Sequence, residues 1–430
     1  MHALADTARE LLRDFEGNSY IFGPGAIRDV GGLAARAGER WLLVTGRSSR
    51  QNGMGPALEV AFREAGLSIV GQCAGARPNS PVEDVLRVRG ELLAAEPDAV
   101  VGLGGGSLID ALKASVVLAT LGGACEDYYG VGKVSDRLAE TSKRLPPVLA
   151  VQTASGSGAH LTKYANVTDM AGPQKKLFID DAVVPPLALF DYDATVTMSR
   201  EFTAVGAFDG ICHLLEVYLG IPPGDPRLSL VQRIALVGLE LIIGSLPQVL
   251  RDPTSTTPRE SIGLGTDLGG HAIMVGSTNG PHLNSFSLVD VMDHGKATAI
   301  LAPYYTYFFA PAVPDRIARV GEIYQRYGHL GSRHDLPSTE PLETGALLAE
   351  GMMHLARTVG FPTSLGEVPS YTDVHEQRML SAAKDPALAS KLESMPVPMR
   401  PEDVDRYMAN ILRAARGGDL SLISPPPGYT

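Results

Sequence analysis

The sequence predicts an α/β domain over residues 1–198 followed by an all-α domain over residues 199–430. Three observations carry this. In the first half, continuous apolar runs alternate with helical periodicity, the pattern of strands buried on both faces of a parallel sheet. From about Ser199 onward only the helical periodicity continues. A chain of 430 residues also exceeds what one ordinary core holds, so two domains are expected.

Taken in order, the first half opens with the short apolar piece Ile21-Phe22 and the turn Gly23-Pro24-Gly25. A helical stretch over 27–37 leads to the run Arg40-Trp41-Leu42-Leu43-Val44-Thr45-Gly46, read as a strand ending in a turn. A helix over 54–65, a strand at 67–70 and a helix from Pro81 to Ala95 follow. The strand Ala99–Leu103 runs directly into Gly104-Gly105-Gly106-Ser107 and a further helix. The resulting βαβα order predicts a doubly wound sheet. In the second half, periodicity predicts helices over 203–219, 227–251, 258–278 and 342–359. Breaks fall at Pro222-Pro223-Gly224, at Arg251-Asp252-Pro253 and around 331–341. A last helix is expected over 401–416.

Composition narrows the function classes. The 37 basic residues against 48 acidic ones leave a net charge of −11, which argues against nucleic acid or an anionic membrane as partner. A small-molecule substrate is therefore expected. Three cysteines, Cys73, Cys125 and Cys212, make no disulfide framework and no CxxC pair, which suits a reducing cytoplasm. The first ten residues are amphipathic and charged, without the apolar core of a signal peptide. No apolar run of about 18 residues is expected to span a membrane.

Two stretches carry chemistry. Glycines at a strand-to-helix turn let backbone N–H groups approach a phosphate closely, and the helix N-terminus adds partial positive charge there; Gly104–Ser107 has this form. A plain tight turn would have the same glycines, but Asp110 and Lys113, at helical spacing beyond it, are not needed for a turn. In the second stretch, Asp209 and His213 lie four apart on one helical face, where both can turn toward one cation. Such a pair also forms as a local hydrogen-bonded couple. His282 and His294 can complete a four-ligand set, and one carboxylate with three imidazoles suits Fe2+ or Zn2+ far better than Ca2+ or Mg2+.

Gly104-Gly105-Gly106-Ser107-x-x-Asp110-x-x-Lys113 resembles the GGGSxxDxxK signature of the iron-containing (group III) alcohol dehydrogenases. Gln152-Thr153-Ala154-Ser155-Gly156-Ser157-Gly158, followed by Val167-Thr168-Asp169, is similar to that family's TTAGTGSE...TD segment, with Ala159-His160 where Ser-Glu is usual. Pro185–Asp191 resembles its strand into the second domain. Asp209 to His213 resembles its DAxxH metal motif with Gly210 in place of Ala, and Asp293-His294-Gly295 resembles its final HG. The similarity covers about residues 20 to 320.

The resemblance implies a Rossmann-like nucleotide domain, a helical domain of the dehydroquinate synthase-like two-domain plan, and a metal in the cleft between them. It also implies an NAD(P)-linked alcohol dehydrogenase or aldehyde reductase in which the metal polarises the alcohol oxygen. Asp209, His213, His282 and His294 would be the metal ligands. Gly104, Gly105, Gly106, Ser107 and Asp110 belong to the pyrophosphate turn, Asn79 to the adenosine side, Thr153, Ser155 and Ser157 to the nicotinamide end, and Lys175 or its neighbour Lys176 to the ribose. A homodimer is expected. NAD-preferring members have an Asp at the end of the second strand, where this chain has Gly46, then Arg47, Ser48, Ser49 and Arg50. Loss of the carboxylate removes repulsion toward a 2'-phosphate, so NADP is expected over NAD.

Family members commonly carry His-x3-His, whereas here His282 is followed four residues on by Phe286. Aligning His282 with the first, metal-binding His puts Phe286 at the proton-relay position; the competing alignment leaves the metal one ligand short. His271 is the main rival ligand. His160 is read as either a substrate contact or a structural residue, and His329, His334, His354 and His375 as surface residues. A metal-dependent lyase or cyclase resembling dehydroquinate synthase, using nicotinamide transiently, is the alternative activity.

Overall fold

The computed structural model describes residues 1–47, 49, 53–330, 335–426 and 428. By packing, the chain divides into two units. One comprises Arg9–Ser199 and Pro253–Gly263; the other comprises Met1–Ala8, Arg200–Asp252 and Leu264–Thr430.

The first unit is built on strands β1 (Tyr20–Gly23), β2 (Arg40–Thr45), β3 (Ser68–Ala74), β4 (Ala99–Gly104), β5 (Gly130–Val131), β6 (Val148–Gln152), β7 (Tyr164–Asp169), β8 (Gln174–Ile179) and β9 (Leu187–Asp191). Six of them form a sheet in the order β1-β9-β6-β4-β2-β3, and every pair in it is parallel. Because strand side chains alternate between faces, β2 supplies two cores at once. Trp41 and Leu43 pack with Val101, Leu149 and Leu189 on one face, and Leu42 and Val44 with Val100, Val148 and Ala150 on the other. This is why these strands read as unbroken apolar runs. The chain moves from β2 outward to β3 and then returns to β2's other side at β4, so the sheet order reverses at the carboxyl ends of β2 and β4. In open α/β sheets such a point is where ligands bind.

Three local features differ from the sequence expectation. Residues 27–37 form a single 3-10 turn, Ala26–Asp29, and a five-residue helix, Val30–Ala34. β3 runs on to Ala74 and shifts register against β2 between Trp41 and Leu42. A second sheet, β5-β8-β7, contains the antiparallel pair β7–β8, whose polar residues mask the strand alternation.

The second unit is helical among the described residues. It includes Arg200–Gly220, Leu228–Arg251, Gly280–Ser285, His294–Phe309, Pro314–Arg326 and Pro341–Thr358. The Thr256–Val275 helix belongs to it from Leu264 onward. The expected final helix starts with a 3-10 turn and a π turn before Ala409–Gly417. Contrary to the sequence expectation, two helices are long and apolar enough to cross a membrane, Arg200–Gly220 and Leu228–Arg251. The apolar window of the first is 94% buried within the protein and that of the second 56%, so the first is a core helix. Its C-terminal carbonyls are satisfied by the buried guanidinium of Arg316, which donates to the oxygens of Tyr218, Leu219 and Ile221.

Lys113 shows how the first unit fixes its glycine turn. Its side chain is buried, and Nζ donates to the carbonyl oxygens of Thr162 (2.6 Å) and Tyr164 (2.9 Å). Burial pushes the amine down to about 8, against the opposing pull of Asp110. The lysine thus ties the helix after the turn to the strand entering β7. Lys113→Met leaves two carbonyls without their donor and is expected to cost about 2–4 kcal/mol in urea unfolding. An unchanged midpoint would remove this strut from the account.

Candidate metal centre and dinucleotide turn

Asp209 and His213 lie on the Arg200–Gly220 helix, His282 on Gly280–Ser285, and His294 at the start of His294–Phe309. The four side chains converge on one carboxylate oxygen. Asp209 Oδ1 is 3.6 Å from His213 Nε2, 3.5 Å from His282 Nε2 and 3.6 Å from His294 Nε2. Donor atoms of Asp209, His282 and His294 all lie within 4.8 Å of one another, a group that does not include His213, whose Nε2 meets Asp209 Oδ1 at 3.6 Å. Tetrahedral ligands about 2.1 Å from a cation stand about 3.4 Å apart, so this spacing leaves room for one ion. Asp209 Oδ1 and His282 Nε2 are buried and make no hydrogen bond. Buried polar atoms without partners are costly, and a cation satisfies both. The residues present therefore fit a divalent metal of the Fe2+ or Zn2+ type.

The electrostatics agree with that fit. Burial alone would raise the Asp209 carboxyl, but His213, His294 and His282 more than offset it and hold it far below the usual carboxylate range. Burial pushes His213 down to about 4 despite the pull of Asp209, which keeps its imidazole neutral with a lone pair to offer. His282 goes the other way: burial lowers it, but Glu216 and Asp209 together raise it. Tautomers follow from the bonding partners. His282 Nδ1 lies 2.6 Å from the carboxylate oxygen Glu216 Oε1, so Nδ1 carries a hydrogen, and in the neutral imidazole the lone pair is on Nε2. Ser285 Oγ donates to the His282 carbonyl (2.7 Å) and so can only accept from His294 Nδ1 (3.0 Å), which frees His294 Nε2 in the same way.

Phe286 is 3% exposed and stacks on the His294 ring, with centroids 5.8 Å apart and planes at 15°. An apolar ring therefore covers one face of the His294 imidazole at the position expected for a second histidine. His271 is buried on the Thr256–Val275 helix, outside the group formed by Asp209, His282 and His294, and burial pushes it down to about 4. His160 is 1% exposed, with Nε2 3.1 Å from the Tyr20 hydroxyl and its ring against Phe190. The surface reading of His329 is corrected: it is 8% exposed, with Nδ1 3.1 Å from His354 Nδ1. His334 lies outside the described residues. Glu216 and Asn279, which the sequence does not single out, are bonded to this group: Glu216 Oε1 meets His282 Nδ1, and Asn279 N donates to Glu216 Oε2. The signal for Glu216 is its place three residues beyond His213 on the same helical face.

In the first unit, the carboxyl ends of β2, β4 and β6 bring the predicted cofactor residues together. Gly46 N donates to Leu103 O, and Thr153 N to Gly104 O, each at 3.0 Å. Gly105 is the extended N-cap of the Gly106–Leu121 helix, whose first N–H groups have no intrahelical acceptor. A Cβ on Gly106 would collide with the Ser157 side chain, so the turn and the Thr153–Ser157 segment touch only because Gly106 is glycine. Asn79 and Ser80 adopt left-handed backbone conformations, φ 66° and 51°, rare for non-glycine residues. They are held there by Ser107: Asn79 N donates to Ser107 Oγ (3.1 Å), and Ser80 Oγ to Ser107 O (2.7 Å). Ser155 is buried in the same segment. The site offers backbone donors, a helix N-terminus and a glycine approach, which fit a dinucleotide's pyrophosphate.

The remaining candidates are placed as follows. Asp110 is buried and accepts from Asn166 Nδ2 (2.7 Å); burial raises its pKa against the lowering effect of Lys113, Asn166 and Lys175. Lys175 is buried on β8, opposite Thr168 of β7, and its charge acts on Asp110, while Lys176 lies over the Tyr129 ring at 5.2 Å. Ser48 and Arg50 lie outside the described residues. The Ser49 hydroxyl is not available to a phosphate, because it is buried and donates to Leu103 O (3.1 Å). Arg47 is exposed.

A parallel dinucleotide-type sheet and a carboxylate ringed by three imidazoles fit an enzyme that uses a dinucleotide and a divalent metal. The sequence profile described as iron-containing alcohol dehydrogenase matches residues 17–192. The NAD-dependent methanol dehydrogenase of Bacillus methanolicus is 27% identical over 307 residues, 70% of this chain and 77% of that relative. The 1,3-propanediol dehydrogenase of Citrobacter freundii is 26% identical over 357 residues, 82% of this chain and 87% of its own. Among solved structures, a 1,3-propanediol oxidoreductase superposes with a TM-score of 0.78 at 23% identity, covering 93% of this chain and 98% of that one. An archaeal halo-thermophilic Red Sea brine pool alcohol dehydrogenase superposes with a TM-score of 0.79 at 21% identity, covering 92% and 96%. Over residues 17–192 the chain thus matches the iron-containing alcohol dehydrogenase profile, and the relatives it resembles over most of its length are dehydrogenases of alcohols.

The His294-Gly295 pair has a steric reason. A Cβ on Gly295 would run into the carbonyl oxygen of Val205, on the helix that carries Asp209 and His213. Gly295→Ala is therefore expected to push His294 away from Asp209, at about 2–3 kcal/mol of stability and at least tenfold in metal affinity. Isothermal titration with Co2+ and thermal unfolding check both; wild-type values in both would contradict the close approach.

Proposed function

We propose that this protein interconverts small alcohols and aldehydes with NADP(H) in preference to NAD(H). In this reading, Asp209, His213, His282 and His294 hold an Fe2+ ion, with Zn2+ as the substitute the same ligands accept. The observation that carries it is Asp209 Oδ1, buried and without a hydrogen bond, at 3.5–3.6 Å from three imidazole nitrogens. Residues 1–198 would bind the dinucleotide and residues 199–430 the metal. The enzyme is proposed to work as a cytoplasmic homodimer.

When bound, the cation acts as a Lewis acid toward the alcohol oxygen and the nicotinamide accepts the hydride. The chain's own residues do the rest. Asp209 stays ionised and keeps negative charge beside the cation, while neutral imidazoles supply lone pairs. Gly105, Gly106 and Ser107 present backbone N–H groups to the pyrophosphate, with Gly104 and Asp110 shaping the turn. Asn79 serves the adenosine side, Thr153, Ser155 and Ser157 the nicotinamide end, and Lys175 the ribose. Phe286 carries no proton and excludes water beside His294, so the alcohol proton leaves by a route that does not use this position, and the substrate side is less polar. For the cofactor, Gly46 supplies no carboxylate to repel a 2'-phosphate, and the exposed Arg47 supplies a guanidinium.

Methanol and 1,3-propanediol are in the names of the two relatives described above, so short primary alcohols head the substrate panel. Metal analysis of anaerobically purified protein should find iron at close to one ion per chain. His294→Ala is expected to lower both bound metal and kcat by at least about tenfold; unchanged metal content would reject the ligand assignment. KM for NADP+ should lie below that for NAD+, and the reverse order would sink the cofactor preference. Net NADPH consumption with aldehydes supports the dehydrogenase, whereas turnover without it supports a lyase.

A further inference from the structure

We infer that Glu216 is the positioning residue of the metal centre, locking the tautomer of His282 and the register of two of the three helices that bring the ligands together. The inference rests on the metal reading above. Glu216 is 3% exposed and lies on the Arg200–Gly220 helix, where Asp209 and His213 also sit. Its two carboxylate oxygens face two different donors. Oε1 meets His282 Nδ1 at 2.6 Å, and Oε2 accepts from the backbone N of Asn279 at 2.7 Å. Asn279 is fully buried and returns the contact: its Nδ2 donates to the Glu216 carbonyl (3.1 Å), and its Oδ1 caps the next helix through Gly280 N (2.8 Å). Asn279 is therefore both the N-cap of the helix carrying His282 and the partner of the helix carrying Asp209 and His213.

The chemistry of this junction admits only a carboxylate. The backbone N–H of Asn279 cannot become an acceptor, and His282 must keep hydrogen on Nδ1 if Nε2 is to face Asp209. Two donors thus require two acceptor oxygens on one side chain. A carboxamide offers one acceptor and one NH2, so one donor would face another donor in a buried site. The imidazole would then rotate or change tautomer, and its lone pair would leave the cluster. The outer side of the junction is anchored as well: Lys391 Nζ donates to Thr278 Oγ1 (2.5 Å) and Ser394 Oγ to Thr278 O (3.1 Å), holding the residue before Asn279.

The test uses the full-length protein, stripped of metal and titrated with Co2+, with affinity read by chelator competition and coordination by visible absorption. Glu216→Gln, nearly isosteric, is expected to weaken Co2+ binding about 10–100-fold and to change the Co2+ spectrum. Glu216→Asp keeps two acceptor oxygens on a shorter arm and should recover part of the affinity, which a purely space-filling role would not give. Equal affinity and equal spectra in wild type, E216Q and E216D would overturn the inference while leaving the metal site standing. A wild-type protein that binds no Co2+ would overturn the metal reading and this inference together.

Discussion

Everything in the helical unit answers to one buried anion. Taking the Asp209 carboxylate out of water costs several kcal/mol unless positive charge or hydrogen bonds replace the lost solvation. One face of it, Oδ1, has three imidazole nitrogens at 3.5–3.6 Å and no hydrogen bond. A divalent cation among these groups, as proposed above, would supply that charge. The same constraint accounts for the outer partners. Glu216 and Ser285 orient imidazoles whose Nε2 atoms must all be lone pairs, because an N–H turned inward would repel the cation.

Bringing the donor atoms of Asp209, His282 and His294 from three helices within 4.8 Å of one another demands close helix packing, and small residues supply it. A Cβ on Gly210, one residue past Asp209, would sit 2.8 Å from Thr266 Cγ2 on the neighbouring helix. Gly295, one residue past His294, lies against the carbonyl of Val205. Each glycine adjoins a ligand on the backbone and lets that ligand's helix approach its neighbour. The pairs Asp209-Gly210 and His294-Gly295 are thus units of packing as well as of chemistry.

The nucleotide unit follows a more local logic. Its turn is specified by what touches it in sequence and at the adjacent strand ends: glycines at 104–106, the Thr153–Ser157 segment beside them, and the strained Asn79–Ser80 pair held by Ser107. That is why the Gly104–Ser107 turn is legible in the sequence itself, whereas Asn79, Thr153 and Ser157 came only from the family resemblance. The Ser49 hydroxyl shows the opposite case. By residue type it is a fit donor for a phosphate, but folding commits it to the Leu103 carbonyl, and no spacing rule reveals that. The β7–β8 hairpin is hidden from the sequence for a related reason: Gln174, Lys175 and Lys176 carry no apolar alternation, and their strand state comes from pairing with residues 167–169.

By itself the sequence determined the two-part architecture, the parallel sheet, the glycine turn and the ligand types, because apolar periodicity, turn chemistry and side-chain donor atoms are local properties. It also carried Asp209 and His213 as a pair, since helical spacing alone puts residues four apart on one face. Only the tertiary structure decided that His282 Nε2 lies 3.5 Å from Asp209 Oδ1, that Phe286 lies against His294, and that Glu216 and Asn279 join two helices through one carboxylate. Those facts depend on contacts between residues tens of positions apart, whose geometry is set by how whole helices pack.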